Sequence, residues 1–141
     1  MKSITLRASY DNLQSVMGFV NSELDQCDCD ITVKMQIQIA VEEIFVNISD
    51  YAYAPDTGDV EICCELRRDP DTLILQFKDQ GVPFNPLELP DPDRSSEALM
   101  ERIGGLGVFM LRQYMNDVRY SYENGRNVLT VERRLDYIVE L

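Results

Sequence analysis

The chain has 141 residues, 45% of them hydrophobic, with 13 basic against 25 acidic side chains and a formal net charge of −12. This length fits one domain, residues 1–141, and no run approaches the roughly 18 consecutive apolar residues of a membrane-spanning helix. Nucleic acid is excluded as a direct ligand, because binding a phosphate backbone needs a basic surface; an acidic surface suits a basic protein partner instead.

The N-terminal stretch Met1–Arg7 lacks the apolar core of a signal peptide, so a cytoplasmic location is expected. Ile4, Leu6 and Ala8 alternate with polar neighbours and predict a first strand. Leu13, Val16, Met17, Val20 and Leu24 recur at helical spacing over residues 10 to 26, with Ser9 or Asp11 available as a cap. The strongest helix is predicted over 31 to 53. Asp30 is its N-cap, and Val33, Ile37, Val41, Ile44, Ile48 and Ala52 form one apolar stripe. Pro55 ends it. Alternation over 60–67 and 73–78, joined by Arg68-Asp69-Pro70-Asp71, predicts an antiparallel hairpin. A proline- and glycine-punctuated stretch follows to Gly105, long enough to be functional. A helix is then predicted over 106–116, and strands 118–122 and 128–135 flank the turn dipeptide Asn124-Gly125. The order predicts a two-layer α/β sandwich: a mixed, mostly antiparallel sheet with helices on one face.

The absence of histidine removes histidine-based triads, histidine metal ligands and histidine phosphorelay from this chain. Cys27, Cys29, Cys63 and Cys64 lack zinc-ribbon spacing and are expected to be reduced structural thiols. Three segments carry candidate chemistry. Glu43 and Asn47 stand four apart, on one side of the long helix beside its apolar face. Such a pair fits polar side chains on a half-exposed helix. It also fits a carboxylate that deprotonates a nucleophile beside an amide oxygen that ligates Mg²⁺. Asp79 continues the inward face of its strand and is followed by Gln80-Gly81-Val82-Pro83-Phe84. A carboxylate there can cap a turn or accept a hydrogen bond from an exocyclic amine, and Gly81 permits close backbone approach to a flat ligand. Gly104-Gly105-Leu106-Gly107 runs into a helix, as a hinge or as a set of backbone N–H groups for an anion. No Lys-Ser/Thr pair follows, so it is not a Walker loop.

In this order the segments resemble the GHKL ATPase superfamily, which has the Bergerat, histidine-kinase-like ATPase fold. AVEEIFVNISDYAY is similar to its N box, DQGVPF to its first glycine box and GGLGVFMLRQYMNDV to its second. Within the superfamily the chain looks most like the anti-sigma factor serine/threonine kinases. The resemblance, over about residues 1 to 135, implies ATP and Mg²⁺ as ligands. Glu43 would be the general base toward a partner serine, and Asn47 would bind Mg²⁺. Asp79 would bond the adenine amino group, with Gly81 and Val82 against the base. Residues 85–103 would form an ATP lid carrying Arg94 and Arg102, and Gly104, Gly105, Leu106 and Gly107 would meet phosphate. It further implies a sigma factor and a STAS-domain anti-anti-sigma protein as partners, and a homodimer. The chain departs from the family pattern at Pro83, where a second glycine is usual, and at Tyr51, where histidine is frequent. It departs again at Val128 and Leu129, where a threonine is common and Thr130 is adjacent. These departures keep open an alternative: a catalytically inactive ATP-binding module that regulates by contact.

Overall fold

The computed structural model describes residues 1–88 and 105–136, with the backbone alone over residues 105–109. The elements are β1 (Lys2–Arg7), α1 (Leu13–Leu24), α2 (Ile31–Asn47), β2 (Asp59–Arg67), β3 (Thr72–Asp79), α3 (Gly105–Tyr114), β4 (Asp117–Glu123) and β5 (Arg126–Arg134). The strands form one sheet in the order β1-β2-β3-β5-β4. Every pairing is antiparallel, where a mixed sheet was expected. The reason is topological. α3 returns the chain so that β3 and β4 run the same way, but β5 folds back between them and removes any parallel contact. The β4–β5 turn uses Asn124 and Gly125 at φ 53° and 77°, the left-handed pair that matches strand twist in a two-residue hairpin.

α1 and α2 show where local signals hold and where they yield. Asp30 caps α2 as expected, its Oδ1 accepting from Thr32 N–H at 2.8 Å. Val33, Ile37, Ile39, Val41, Ile44 and Val46 are β-branched, a poor choice for a helix by propensity alone. Burial decides the matter: Val33, Ile37, Val41 and Phe45 are at most 1% exposed. Each such side chain contributes about 1.5–3 kcal/mol, against a few tenths lost to propensity. The regular ladder ends at Asn47, earlier than predicted, and Ile48–Ala52 forms one wider turn with the looser hydrogen bonding of a π-helix. Ser49 Oγ donates back to Phe45 O at 2.9 Å there, the kind of bond that loosens a helical turn. At α1 neither Ser9 nor Asp11 caps the helix. A 3₁₀ turn at Tyr10–Asn12 leads in, and the Asn12 amide donates to Arg7 O instead.

The helices cover one face of the sheet. Val60, Ile62, Cys64, Leu73, Leu75, Phe77, Leu129 and Val131 point from alternate strand positions into one core with Val16, Val20, Ile37 and Phe45. Cys64 is a small core residue, and burial pushes its thiol up to about 12. All four cysteines are free. Arg133 is wholly buried and donates through Nη1 to Gln36 Oε1 (2.9 Å) on α2 and Tyr114 O (2.7 Å) on α3. It therefore holds the two helices that flank the candidate site in one spacing.

Candidate nucleotide site

A cavity of about 510 Å³ opens at the C-terminal end of α2, within the usual 300–1,000 Å³ of small-ligand sites. α2 and the wide turn after it contribute Glu43, Asn47, Tyr51 and Ala52. The sheet contributes Phe77 and Asp79 from β3, Asn127 and Leu129 from β5 and Tyr120 from β4. Leu111 of α3 and the segment Val82-Pro83-Phe84 close it. The walls are largely apolar, with a few carboxylate and amide groups converging on the space. Around the mouth, Tyr51, Val82 and Phe84 are large hydrophobic groups left exposed.

Glu43, Asn47, Asp79 and Val82 thus share one cavity, although they come from two distant parts of the chain. Glu43 and Asn47 are one helical turn apart and face it together. Glu43 is half-buried, and loss of solvent, followed by the neighbouring Glu42 charge, raises its pKa above the ordinary glutamate value. A carboxylate whose pKa is raised is a stronger base, the property a proton acceptor needs. The Asn47 amide oxygen beside that carboxylate is a hard oxygen donor pair suited to Mg²⁺.

Asp79 is 6% exposed at the end of β3. Its Oδ1 accepts from Gly81 N–H (2.9 Å) and from Asn127 Nδ2 (2.9 Å). Its Oδ2 accepts no bond among the described residues, and Asp79 lines the cavity, so this oxygen is the one available to a ligand. Gly81 packs against the turn that follows α2. It does not line the cavity. A Cβ at Gly81 would lie 2.1 Å from Ala52 O and 2.6 Å from Ala52 C, so the close approach it permits is to the wide turn after α2. Val82 N–H donates to the same Ala52 O at 3.0 Å. Tyr53 completes the seam: its hydroxyl donates to Asp59 O (2.6 Å) and accepts from Gln80 N–H (2.7 Å).

Two further residues, Asn127 and Tyr120, line the cavity without any motif to mark them. Tyr120 falls inside the strand predicted over 118–122, and Asn127 lies just before the one predicted over 128–135, on the β5 that the structure starts at Arg126. The available signal was an amide on the inward face of Asn127, Leu129 and Val131. Asn127 pairs across the ladder with Asp79, a register that the sequence does not display. Thr130, the neighbour of the positions matched to the family threonine, faces away and accepts from Gln76 Nε2 at 3.2 Å. Gly105 and Gly107 lie in the first turn of α3, and Gly107 stands one turn before Leu111 on the same side of the helix. Gly104, Arg94, Arg102 and residues 89–103 of the expected lid lie outside the described residues.

An antiparallel sheet covered on one face by helices, with a cavity between α2 and the strand ends, is a two-layer α/β sandwich with a small-ligand site. Residues 6–133 match the family described as histidine kinase-like ATPase domain, and the chain belongs to it. It is similar to the serine-protein kinase RsbW of Listeria monocytogenes serovar 1/2a, 33% identical over 97 residues, 66% of this chain and 61% of that protein. It is also similar to the serine-protein kinase RsbW of Bacillus mycoides, 27% identical over 130 residues, 88% of this chain and 72% of the relative. The match to the Listeria kinase therefore spans about three fifths of that relative's length. Among solved structures, the Acinetobacter baumannii histidine kinase AdeS shares the fold. Its TM-score is 0.50 at 15% identity, over 97% of this chain and 70% of that one. Among the described residues no helix is long and apolar enough to cross a membrane.

Proposed function

We propose that this chain is an ATP-dependent serine/threonine-protein kinase of the anti-sigma type. It would bind a sigma factor and phosphorylate a serine of a STAS-domain anti-anti-sigma protein, as a cytoplasmic homodimer. The observation that carries the reading is the convergence of Glu43, Asn47 and Asp79 on one cavity, in a chain of the histidine kinase-like ATPase family that resembles RsbW kinases.

The roles follow from the chemistry of each group. The Asp79 Oδ2 accepts a hydrogen bond from the adenine 6-amino group, while Val82, Phe77 and Leu129 supply apolar surface for the ring. The α3 N-terminus, with backbone N–H groups at Gly105 and Gly107 that favour negative charge, would hold the triphosphate. That local device lets a chain of net charge −12 hold an anion. Asn47 would hold Mg²⁺, which would supply charge neutralisation at the phosphates. Glu43 accepts the proton of the incoming serine hydroxyl. The serine oxygen then bonds to the γ-phosphorus, the bond from that phosphorus to the bridging oxygen breaks, and ADP leaves. Transfer of this kind depends mainly on positioning and charge neutralisation, so a sparse set of groups suffices.

The test is direct. The protein is mixed with Mg-ATP and a STAS-domain protein encoded beside it, and phosphoserine is measured. Transfer to one serine is expected. In Glu43→Ala it should be lost while ATP binding remains; transfer that persists unchanged removes Glu43 as the base. Normal ATP affinity without transfer to any such protein would favour a regulatory module that acts by contact.

A further inference from the structure

Asn127 has four hydrogen-bonding places, two N–H donors and two lone pairs on its oxygen, and all four are taken. Nδ2 donates to Asp79 Oδ1 at 2.9 Å and to Val82 O at 3.0 Å. Oδ1 accepts from Phe84 N–H at 3.1 Å and from the Tyr120 hydroxyl. The amide cannot be turned over, because that would set its NH₂ against the Phe84 N–H. The side chain is 7% exposed and borders the cavity, yet no place on it is left for a ligand.

The consequence lies in what these bonds hold. A carboxylate on a strand end can rotate and offer either oxygen, since its last torsion is broad. Here Asn127 and Gly81 N–H both engage Oδ1, so Oδ2 is the oxygen left for the cavity. The same amide ties Val82 and Phe84, two of the exposed groups at the mouth, to β5. One buried side chain thus fixes both the acceptor for a ligand amine and the wall beside it.

We propose that Asn127 is a positioning residue for base recognition. It acts through Asp79 and the Val82–Phe84 segment, and it sets the preference for a purine bearing a 6-amino group. The inference rests on the nucleotide reading of the site. It differs from a plain structural role in one measurable way. Structural damage weakens every nucleotide alike, whereas loss of positioning removes the part of the affinity that depends on the 6-amino group.

The experiment is a ligand–mutant cycle by calorimetry. Mg-ATP and Mg-purine riboside triphosphate, which lacks the 6-amino group, are titrated into wild type, Asn127→Leu and Asn127→Ser. Thermal melts establish that each protein is folded, and Asn127→Ser carries the test if the leucine variant does not fold. A hydrogen bond to a charged group is worth about tenfold or more in affinity, so wild type should prefer ATP by about that factor. The preference should fall below roughly threefold in the variants, whatever happens to the absolute Kd. A folded variant that keeps the wild-type ratio overturns the role of Asn127 and leaves the nucleotide reading standing. Wild type that binds both compounds equally removes Asp79 as the amine acceptor, and this inference with it. Wild type that binds neither removes the nucleotide reading itself.

Discussion

Gly81→Ala tests the packing on which the cavity depends. The added methyl would lie 2.1 Å from Ala52 O, 2.6 Å from Ala52 C and 2.8 Å from Ala52 Cβ. Two of those atoms are backbone, which no rotamer change can clear. Residues 81–84 must therefore lift from the wide turn after α2, and the 3.0 Å bond from Val82 N–H to Ala52 O must stretch or break. Overpacking of this kind costs about 1–3 kcal/mol, and losing the hydrogen bond adds about 0.5–1.5 kcal/mol. The expected destabilisation is about 2–4 kcal/mol. For a chain of 141 residues, an unfolding entropy of roughly 0.3 kcal/mol/K turns that into a Tm lower by about 7–14 °C. Urea denaturation followed by circular dichroism gives the free energy, and a thermal melt gives the Tm. The lifted segment carries Val82, Pro83 and Phe84, so affinity for Mg-ATP should fall as well. A Gly81→Ala protein as stable as wild type would refute the reasoning, because it would mean that the seam between the wide turn and the Asp79 loop bears no load.

Gly18→Ala should go the other way: Gly18 lies inside α1 with nothing within 4 Å of an added Cβ, so stability should rise by about 0.5–1 kcal/mol in the same denaturation assay. Asp30→Ala removes the α2 cap and should cost about 1 kcal/mol, measured likewise. Glu43 makes stability depend on pH with a definite sign. Its folded-state pKa is raised by burial, so the folded state prefers the protonated form, and its contribution is most favourable below the unfolded value and is lost as pH rises through the folded one. Glu43→Gln should therefore be more stable than wild type at pH 7–8, with the difference vanishing near pH 4; an equal difference at both pH values would contradict the assignment. Cys64, buried and with its thiol pushed up to about 12, should resist thiol reagents at pH 8 in the native protein and react once denaturant is added, as mass spectrometry would show.

The element pattern was legible in the amino-acid order because it rests on local periodicity. Alternation marks the first hairpin, and Asn124-Gly125 marks the turn of the second, whose left-handed geometry the structure contains. Asp30 and the apolar stripe mark α2 despite its β-branched content. Glu43 and Asn47 could be paired in advance, since helical spacing alone puts them on one side. The segments similar to the family's motifs placed Asp79 near the same ligand.

What the order of residues left open depends on contacts between distant segments. The sequence gives no reason for the ladder of α2 to widen after Asn47 or for Ala52 O to sit where Gly81 must pass. A glycine in the Asp79 loop signals close backbone approach, and only the tertiary structure shows Ala52 against it. Asn127 is 48 residues from Asp79 in the chain, and only the β3–β5 register brings amide and carboxylate to 2.9 Å. Periodicity records which way a side chain faces; it carries no information about which strand lies alongside or in what register. Those are fixed by packing of the whole core, and they decide which oxygen of Asp79 faces the cavity.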